Sequence, residues 1–155
     1  MTNLTSHEEL QRNAVKFIGL RMQSPAQAWP LFGRDVDLVA EDGGPAGSLL
    51  FSCHTDESMI NPLGVVHGGV TASLVDTCMG ITCSAQCERM ATPTISMTVN
   101  YARPVLPNSE IRVRTYTTRI GATSGQMSAE VFQAEHPEEL LVTATGVYSI
   151  KRPHP

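Results

Sequence analysis

One segment of the chain, residues 67–86, reads HGGVTASLVDTCMGITCSAQ and predicts a helix. Its apolar side chains would occur on every face, which is typical of a helix that lies in a protein interior. Small residues recur along it, among them Gly68, Ala72 and Gly80, and they would let a sheet approach closely. We therefore predict a buried central helix with the rest of the chain packed around it.

Alternating apolar and polar positions, separated by turn residues, predict six strands. They lie at about residues 34–41, 47–54, 94–101, 110–119, 124–134 and 140–151. The alternation puts Thr94 on the face opposite to Ile95, and residues 136–139 are expected to form the last turn. Because short connections join consecutive strands, the sheet should be antiparallel. The expected fold is a single α+β domain over residues 1–155, with one sheet wrapped around the helix and a core at about residues 34–150.

A second, amphipathic helix is predicted at the N-terminus, over about residues 6–23. Ser6 and Glu9 form a capping box at its start, and apolar residues then recur at three- and four-residue steps. A segment that contains two prolines, residues 24–30, ends this helix. Four apolar side chains on or after the helix would either cover a pocket or pack on the sheet: Phe17, Met22, Trp29 and Phe32.

Composition excludes several classes of protein. The 155 residues carry 11 basic and 15 acidic side chains without a basic block, which argues against a nucleic-acid partner. No apolar run is long enough to span a membrane and no secretory signal is visible, so a cytoplasmic protein is expected. The cysteines match no common zinc spacing, so we expect small buried hydrophobic residues and no metal: Cys53, Cys78, Cys83 and Cys87.

Asp76 is the only acidic or basic residue between Val70 and Ala85. Burial of an unpaired carboxylate is costly, so a position inside an apolar helix needs a reason. One interpretation is structural, with the carboxylate bonded to a backbone amide or a threonine. The other is functional, with a general base or nucleophile whose surroundings adjust its reactivity.

The segment His67-Gly68-Gly69 begins the same helix. Backbone N–H groups in the first turn lack intrahelical partners, and the helix dipole there favours negative charge. Because glycine lets a ligand carbonyl approach closely, the Gly68 N–H is a candidate oxyanion donor. The alternative is a loop that needs glycine torsions to enter a buried helix, with His67 bonded to the loop ahead of it.

The spacing of these two features constrains any shared site. Asp76 follows His67 by nine residues, and nine steps of about 100° put the two side chains on opposite sides of the helix. If both serve one site, a second subunit must supply one of them. Such a site lies at a two-fold interface and occurs twice in a dimer.

Residues 61–69, NPLGVVHGG, followed by residues 74–80, LVDTCMG, closely resemble the hotdog-fold acyl-CoA thioesterases. The most similar group is the PaaI type of the phenylacetate pathway, related to the 4-hydroxybenzoyl-CoA thioesterases that use a helix carboxylate. The resemblance implies that a homodimer or homotetramer hydrolyses an acyl-CoA to a free acid and CoA. CoA is part of the substrate, and no other cofactor is implied.

By position, the resemblance also implies residue roles. Asn61 and the Gly68 N–H would polarise the thioester carbonyl, with His67 orienting the Asn61 loop. The partner subunit's Asp76 would attack the carbonyl or activate a water, helped by Thr94. Further substrate contacts are expected from Gly69, Val70, Met59, Arg103 and Arg119. Where relatives often carry a basic residue near the CoA nucleotide this chain has Ala122, so phosphate contacts would come from Arg103, Arg119, Lys151 or Arg152.

Two other functions fit the same motifs less well. A hotdog enoyl-CoA hydratase or dehydratase would need a histidine base at the α- or β-carbon of its substrate, whereas the Asn61 amide suits acyl transfer. A module that binds or senses acyl thioesters without cleaving them also fits the fold, because fold does not fix function. Such a module has no need of Asp76 inside an apolar helix.

Overall fold

The computed structural model describes residues 4–21, 36–39, 44–88 and 92–150. Several predicted features lie outside these ranges: the end of the first helix with Met22, the segment 24–30 with Trp29, Phe32, the ends of the first strand and the turn after it, and Lys151 and Arg152.

Within the described residues the chain forms two α-helices and one six-stranded sheet. In chain order the elements are α1 (His7–Arg21), β1 (Val36–Val39), β2 (Ser48–His54), α2 (Gly68–Cys87), β3 (Thr94–Tyr101), β4 (Glu110–Ile120), β5 (Ser124–Gln133) and β6 (His136–Ser149). A short 3-10 helix, Glu57–Met59, lies between β2 and α2. The strand order is β1-β2-β4-β5-β6-β3, and every neighbouring pair is antiparallel. The predicted α+β class and antiparallel sheet are confirmed.

The sheet wraps around α2, which forms the centre of the core. Val75, Cys78 and Met79 of this helix are fully buried. Four neighbouring strands each contribute a side chain with no exposed surface to the same core: Phe51, Val113, Val131 and Val142. A long apolar helix enclosed by one antiparallel sheet is the hotdog arrangement that the sequence predicts.

The N-terminal helix α1 packs on the C-terminal half of α2. The Glu9 N–H lies 3.4 Å from Ser6 Oγ, as the capping box predicts. Leu10 and Ala14 are fully buried, and Asn13 Nδ2 donates to the Ala85 carbonyl oxygen at 3.1 Å. The described part of this helix packs mainly on α2 rather than on the sheet, and of the four apolar residues that might cover a pocket only Phe17 lies within the described residues, where it packs against the core.

The predicted turn at residues 136–139 is wrong. Ala134 and Glu135 form the turn instead, and β6 already begins at His136. Residues 136–140 have β5 on one side, while the pairing of β6 with β3 starts further along, at Val142. Pro137 is tolerated in this stretch because a strand with a neighbour on one side only does not need every backbone N–H.

Thr94 and Ile95 lie on opposite faces, as predicted, but the strict alternation predicted along β3 is wrong at this point, because Ile95 does not share the core-facing side of Met97. The pairing of β3 with β6 shifts register between Thr94 and Ser96, so that Thr94 and not Ile95 lies opposite Tyr148. A β-bulge adds one residue to a strand and turns the next side chain to the other face. Ile95 is accordingly 61% exposed, and the Thr94 hydroxyl reaches α2.

The described residues contain no helix long and apolar enough to cross a membrane. They also contain no group of three or more His, Cys, Asp or Glu side chains placed to hold a metal ion. All four cysteines are free thiols, and Cys53, Cys78 and Cys83 are fully buried in the manner of small hydrophobic residues.

Candidate active site

Asp76 is half-buried in the middle of α2 and is held by one of its two oxygens. Its Oδ1 accepts hydrogen bonds from Thr94 Oγ1 at 2.7 Å and from Tyr148 Oη at 3.0 Å. Among the described residues, its Oδ2 has no hydrogen-bond partner. The carboxylate is therefore fixed on one side while the second oxygen is available to a substrate or a water.

The two donors reach the same oxygen because of the strand register. Thr94 and Tyr148 are direct cross-strand partners of β3 and β6, so their side chains project from one face of the sheet at the same level. Without the bulge after Thr94, the apolar side chain of Ile95 would occupy that place. Thr94, which the sequence predicts as a site residue, thus contacts Asp76 by a route that the sequence pattern does not reveal.

Tyr148 is the residue at this site that sequence reasoning missed. It is 1% exposed, and burial, followed by the negative charge of Asp76, raises the pKa of its hydroxyl. The alternation of Ala144, Gly146 and Tyr148 marks all three as inward-facing. No sequence signal gives the partner of the hydroxyl, because that contact depends on the register between two strands far apart in the chain.

At the start of α2 the first-turn amides are almost all occupied. His67 caps the helix, and its Nδ1 accepts from the Gly69 N–H at 2.9 Å. The N–H groups of Val70 and Thr71 both donate to the His67 carbonyl oxygen. Within the described residues the Gly68 N–H has no partner, so it is the first-turn donor that a ligand oxygen can use.

The peptide unit between Gly68 and Gly69 is fixed at both ends. Tyr101 Oη donates to the Gly68 carbonyl oxygen at 2.6 Å, and the Gly69 N–H is bonded to His67 as described. The imidazole of His67 thus caps its own helix, and among the described residues it makes no hydrogen bond with the Asn61 side chain. Its backbone N–H donates to the Met59 carbonyl oxygen at 2.8 Å, which joins the helix start to the strand-to-helix connection.

Asn61 lies in a turn that leaves only its amide nitrogen free. Its Oδ1 accepts from the Leu63 N–H at 2.9 Å, and its backbone carbonyl accepts from the Gly64 N–H. Gly64 has a φ of +78°, a torsion that glycine adopts without strain. Since Oδ1 is occupied, Nδ2 is the group that Asn61 can offer to a ligand, and it is a donor.

A cavity of about 280 Å³ brings several predicted residues together. Asn61, Gly68 and Arg103 line it, along with Tyr101 and mainly apolar side chains. Arg103 is exposed at this cavity and donates to the Leu140 carbonyl oxygen at 3.0 Å. The cavity is therefore lined by two residues that carry an unoccupied donor, Asn61 and Gly68, and by the guanidinium group of Arg103.

The remaining predicted substrate contacts lie elsewhere. Met59 and Val70 belong to the hydrophobic core, at 4% and 6% exposed, and do not line this cavity. Arg119 is an exposed residue of β4 and does not line it either. The Gly69 N–H is already taken by His67, so it is not an open donor.

Gly68 and Asp76 do not meet within one chain. They are eight residues apart on α2, which corresponds to about 12 Å along the helix axis. Each chain therefore carries two separate candidate halves of a site, the unoccupied Gly68 N–H at the start of α2 and the Asp76 carboxylate at its middle. The two halves cannot act on the same carbonyl group in one subunit.

The fold is that of a hotdog-fold protein, and comparison with known proteins gives the family. The family model of the thioesterase superfamily matches residues 63–140. The chain therefore belongs to the thioesterase superfamily, the class of thioester hydrolases that the sequence predicts.

One curated protein and several solved structures are similar to this chain. Mouse acyl-coenzyme A thioesterase 13 is 28% identical over 104 residues, which cover 66% of this chain and 73% of that protein. A putative thioesterase from Ralstonia eutropha, described as phenylacetic acid degradation-related, is 24% identical with a TM-score of 0.71, over 89% of this chain and 99% of that one. The PaaI protein of the E. coli phenylacetic acid degradation operon is 18% identical with a TM-score of 0.72, over 95% and 97% of the two chains.

Proposed function

We propose that this protein hydrolyses an acyl-CoA thioester at a site shared by two copies of the chain. Asn61 Nδ2 and the Gly68 N–H of one copy polarise the thioester carbonyl. The partner subunit's Asp76 attacks the carbonyl carbon or takes a proton from the attacking water, with Thr94 holding the carboxylate. The acyl–CoA linkage is supported by the resemblance to the mouse acyl-coenzyme A thioesterase.

The single observation that carries the proposal is the unequal hydrogen bonding of the two Asp76 carboxylate oxygens. A carboxylate in the middle of an apolar helix has Oδ1 bonded to two hydroxyl groups and Oδ2 unbonded among the described residues. Because the residue is only half-buried, Oδ2 stays accessible to a water or a ligand while Oδ1 is fixed. An oxygen kept free in a half-buried place suits a group that acts on a ligand.

The start of α2 supports the second half of the proposal. In the tetrahedral intermediate of acyl transfer the carbonyl oxygen becomes negatively charged, and donors placed in advance stabilise that charge. The Gly68 N–H and Asn61 Nδ2 are two unoccupied donors at one cavity, next to the positive end of the helix dipole. An exposed arginine at the same cavity, Arg103, adds positive charge beside these donors.

Two copies are required because the two halves are about 12 Å apart along one helix. The sheet offers a surface for a second copy at β3, which is an edge strand in the described sheet. Ile95 and Tyr101 on that strand are 61% and 52% exposed. An edge strand with unpaired backbone groups and exposed apolar side chains is a surface for association with another chain.

The reaction balances without a cofactor. Attack forms a bond from oxygen to the carbonyl carbon, and collapse of the intermediate breaks the carbon–sulfur bond. The CoA thiolate leaves and acquires a proton. If Asp76 attacks directly, water then attacks the aspartyl carbonyl of the resulting anhydride, which releases the acid and places a water oxygen in the Asp76 carboxylate. If Asp76 acts as a base, the water oxygen goes directly into the product acid.

Thiol release from acyl-CoA substrates tests the proposal. Asp76→Ala is expected to abolish release while the oligomer survives, and Asn61→Ala is expected to reduce it substantially. Wild-type turnover in Asp76→Ala would exclude the assignment. Saturable acyl-CoA binding without thiol release in the wild type would indicate a binding module, and hydration of an enoyl-CoA would indicate a hydratase. A single turnover in ¹⁸O-labelled water, followed by mass analysis of the Asp76 peptide, separates the two routes.

A further inference from the structure

One of the two donors on Asp76 has no part in the proposed reaction. Tyr148 Oη lies 3.0 Å from Asp76 Oδ1 and 3.3 Å from the Asp76 carbonyl oxygen. We propose that Tyr148 is a positioning residue, whose hydroxyl, together with that of Thr94, fixes Oδ1 so that Oδ2 faces the substrate. This inference rests on the proposed function, in which Asp76 is the reacting carboxylate.

The Tyr148 ring is placed by packing and not by the hydrogen bond. It lies between α2 and β6 at positions where both elements carry glycine. A Cβ on Gly146 would be 2.9 Å from Tyr148 Cε2, and a Cβ on Gly80 would be 3.6 Å from Tyr148 Cε1. Because the ring is enclosed and 1% exposed, its hydroxyl has one location, and that location is beside Asp76.

The Tyr148 hydroxyl also remains a hydrogen-bond donor at every pH below its raised pKa. Burial and the nearby negative charge of Asp76 both raise the pKa of Tyr148. The phenol therefore stays protonated when the carboxylate is ionised, and an ionised carboxylate can only accept. The direction of this hydrogen bond is thus fixed.

Two donors on one oxygen determine which oxygen reacts. A carboxylate bonded to one mobile hydroxyl can rotate and present either oxygen. Thr94 and Tyr148 approach Oδ1 from two strands and remove that freedom. Alignment of a reacting group raises the rate of the chemical step without changing substrate affinity. Loss of the Tyr148 hydroxyl should therefore lower kcat and leave KM unchanged.

Tyr148→Phe removes the hydroxyl and keeps the ring. We expect kcat for thiol release to fall about tenfold, as for loss of one hydrogen bond to a charged group, with KM and the oligomeric state unchanged. The matched control is Tyr116→Phe. Tyr116 Oη also donates to a carboxylate at 3.0 Å, that of Glu130, but away from Asp76, so this variant should keep the wild-type kcat.

A second variant and a double-mutant cycle distinguish a positioning role of Tyr148 from a general effect on the stability of the fold. Gly146→Ala would put a Cβ 2.9 Å from Tyr148 Cε2 and 3.2 Å from Met79 Cε, so it should displace the Tyr148 ring and reproduce the loss of kcat per folded oligomer, with its stability measured alongside. In a double-mutant cycle with Thr94→Val, the two changes should be non-additive in kcat, because both act on Oδ1.

A wild-type kcat in folded Tyr148→Phe, or equal losses in Tyr148→Phe and Tyr116→Phe, would overturn the positioning role. If Tyr148→Phe is normal while Asp76→Ala is inactive, only this inference fails. If Asp76→Ala is itself active, the proposed function fails.

Discussion

The Gly68→Ala substitution tests how closely the start of α2 must approach a substrate carbonyl. Gly68 is the first residue of the helix, and its torsions are open to any L-residue, so alanine introduces no backbone strain. The added Cβ would lie 3.3, 3.4 and 3.5 Å from Tyr101 Cζ, Oη and Cε1. These distances require the tyrosine ring to move by a few tenths of an ångström. In the single chain Tyr101 is 52% exposed, so within its own subunit its ring has room to move.

The change in stability should be small, because two effects oppose each other. Movement of the ring lengthens the 2.6 Å hydrogen bond to the Gly68 carbonyl oxygen, which is worth about 0.5–1.5 kcal/mol. Alanine favours helix over glycine by up to about 1 kcal/mol. The free energy of unfolding should therefore stay within about 1 kcal/mol of the wild type.

Activity should fall much more than stability. The Gly68 N–H is retained, but the new methyl group stands at the cavity where the carbonyl must dock, and the peptide unit loses one of its two restraints. Removal of a whole oxyanion donor costs about 10²–10³ in rate, so a displaced donor should cost about tenfold or more in kcat/KM. Thiol release and urea unfolding measured on the same preparation separate the two quantities. A wild-type kcat/KM in this variant would refute the placement of the carbonyl at the Gly68 N–H.

Three further predictions follow from other contacts. Asn61→Asp keeps the oxygen that accepts from the Leu63 N–H but replaces the free donor with a second acceptor. Thiol release should therefore fall by about 10²-fold or more, with little change in melting temperature. Near-normal release would remove Asn61 from the site. Gly125→Ala would put a Cβ 2.7 Å from Cys83 Sγ, so it should lower the free energy of unfolding by about 1–3 kcal/mol. Adding Cys83→Ala removes the crowded sulfur and should restore most of that loss, as measured by urea titration. The pKa of Tyr148 is raised in the folded state, so the unfolded chain releases this proton at lower pH. The free energy of unfolding should therefore decline once the pH exceeds about 10, and it should decline less steeply in Tyr148→Phe. Equal slopes of unfolding free energy against pH in the two proteins would contradict this.

The sequence predicts the elements of the fold because they depend on local pattern. A helix that is apolar on every face must lie in the interior. The observed helix α2 spans Gly68–Cys87, close to the predicted residues 67–86. The predicted strand boundaries and side-chain orientations are wrong where the pairing between strands differs from what the local sequence pattern indicates. Pro137 lies inside β6 because β3 does not extend beside it, and Ile95 points outward because a bulge inserts it between paired residues.

The site is predictable only in part for the same reason. Asp76 is conspicuous as a lone charge in an apolar helix, and the His67-Gly68-Gly69 segment marks a helix start. Tyr148 has no such signal, since a tyrosine in a half-buried strand is common. Its hydroxyl meets Asp76 only through the register of β6 against β3 and the glycines that admit its ring.

The most direct test of a site divided between two chains is complementation between two inactive variants. Asn61→Asp and Asp76→Ala are each expected to be nearly inactive alone. When they are co-expressed and assemble at random, half of the dimers contain one chain of each kind, and one of the two sites in such a dimer is intact. We therefore expect thiol release to recover to about a quarter of the wild-type rate. Mixed oligomers that form, as verified by differently tagged chains, yet show no recovered activity would contradict the shared site.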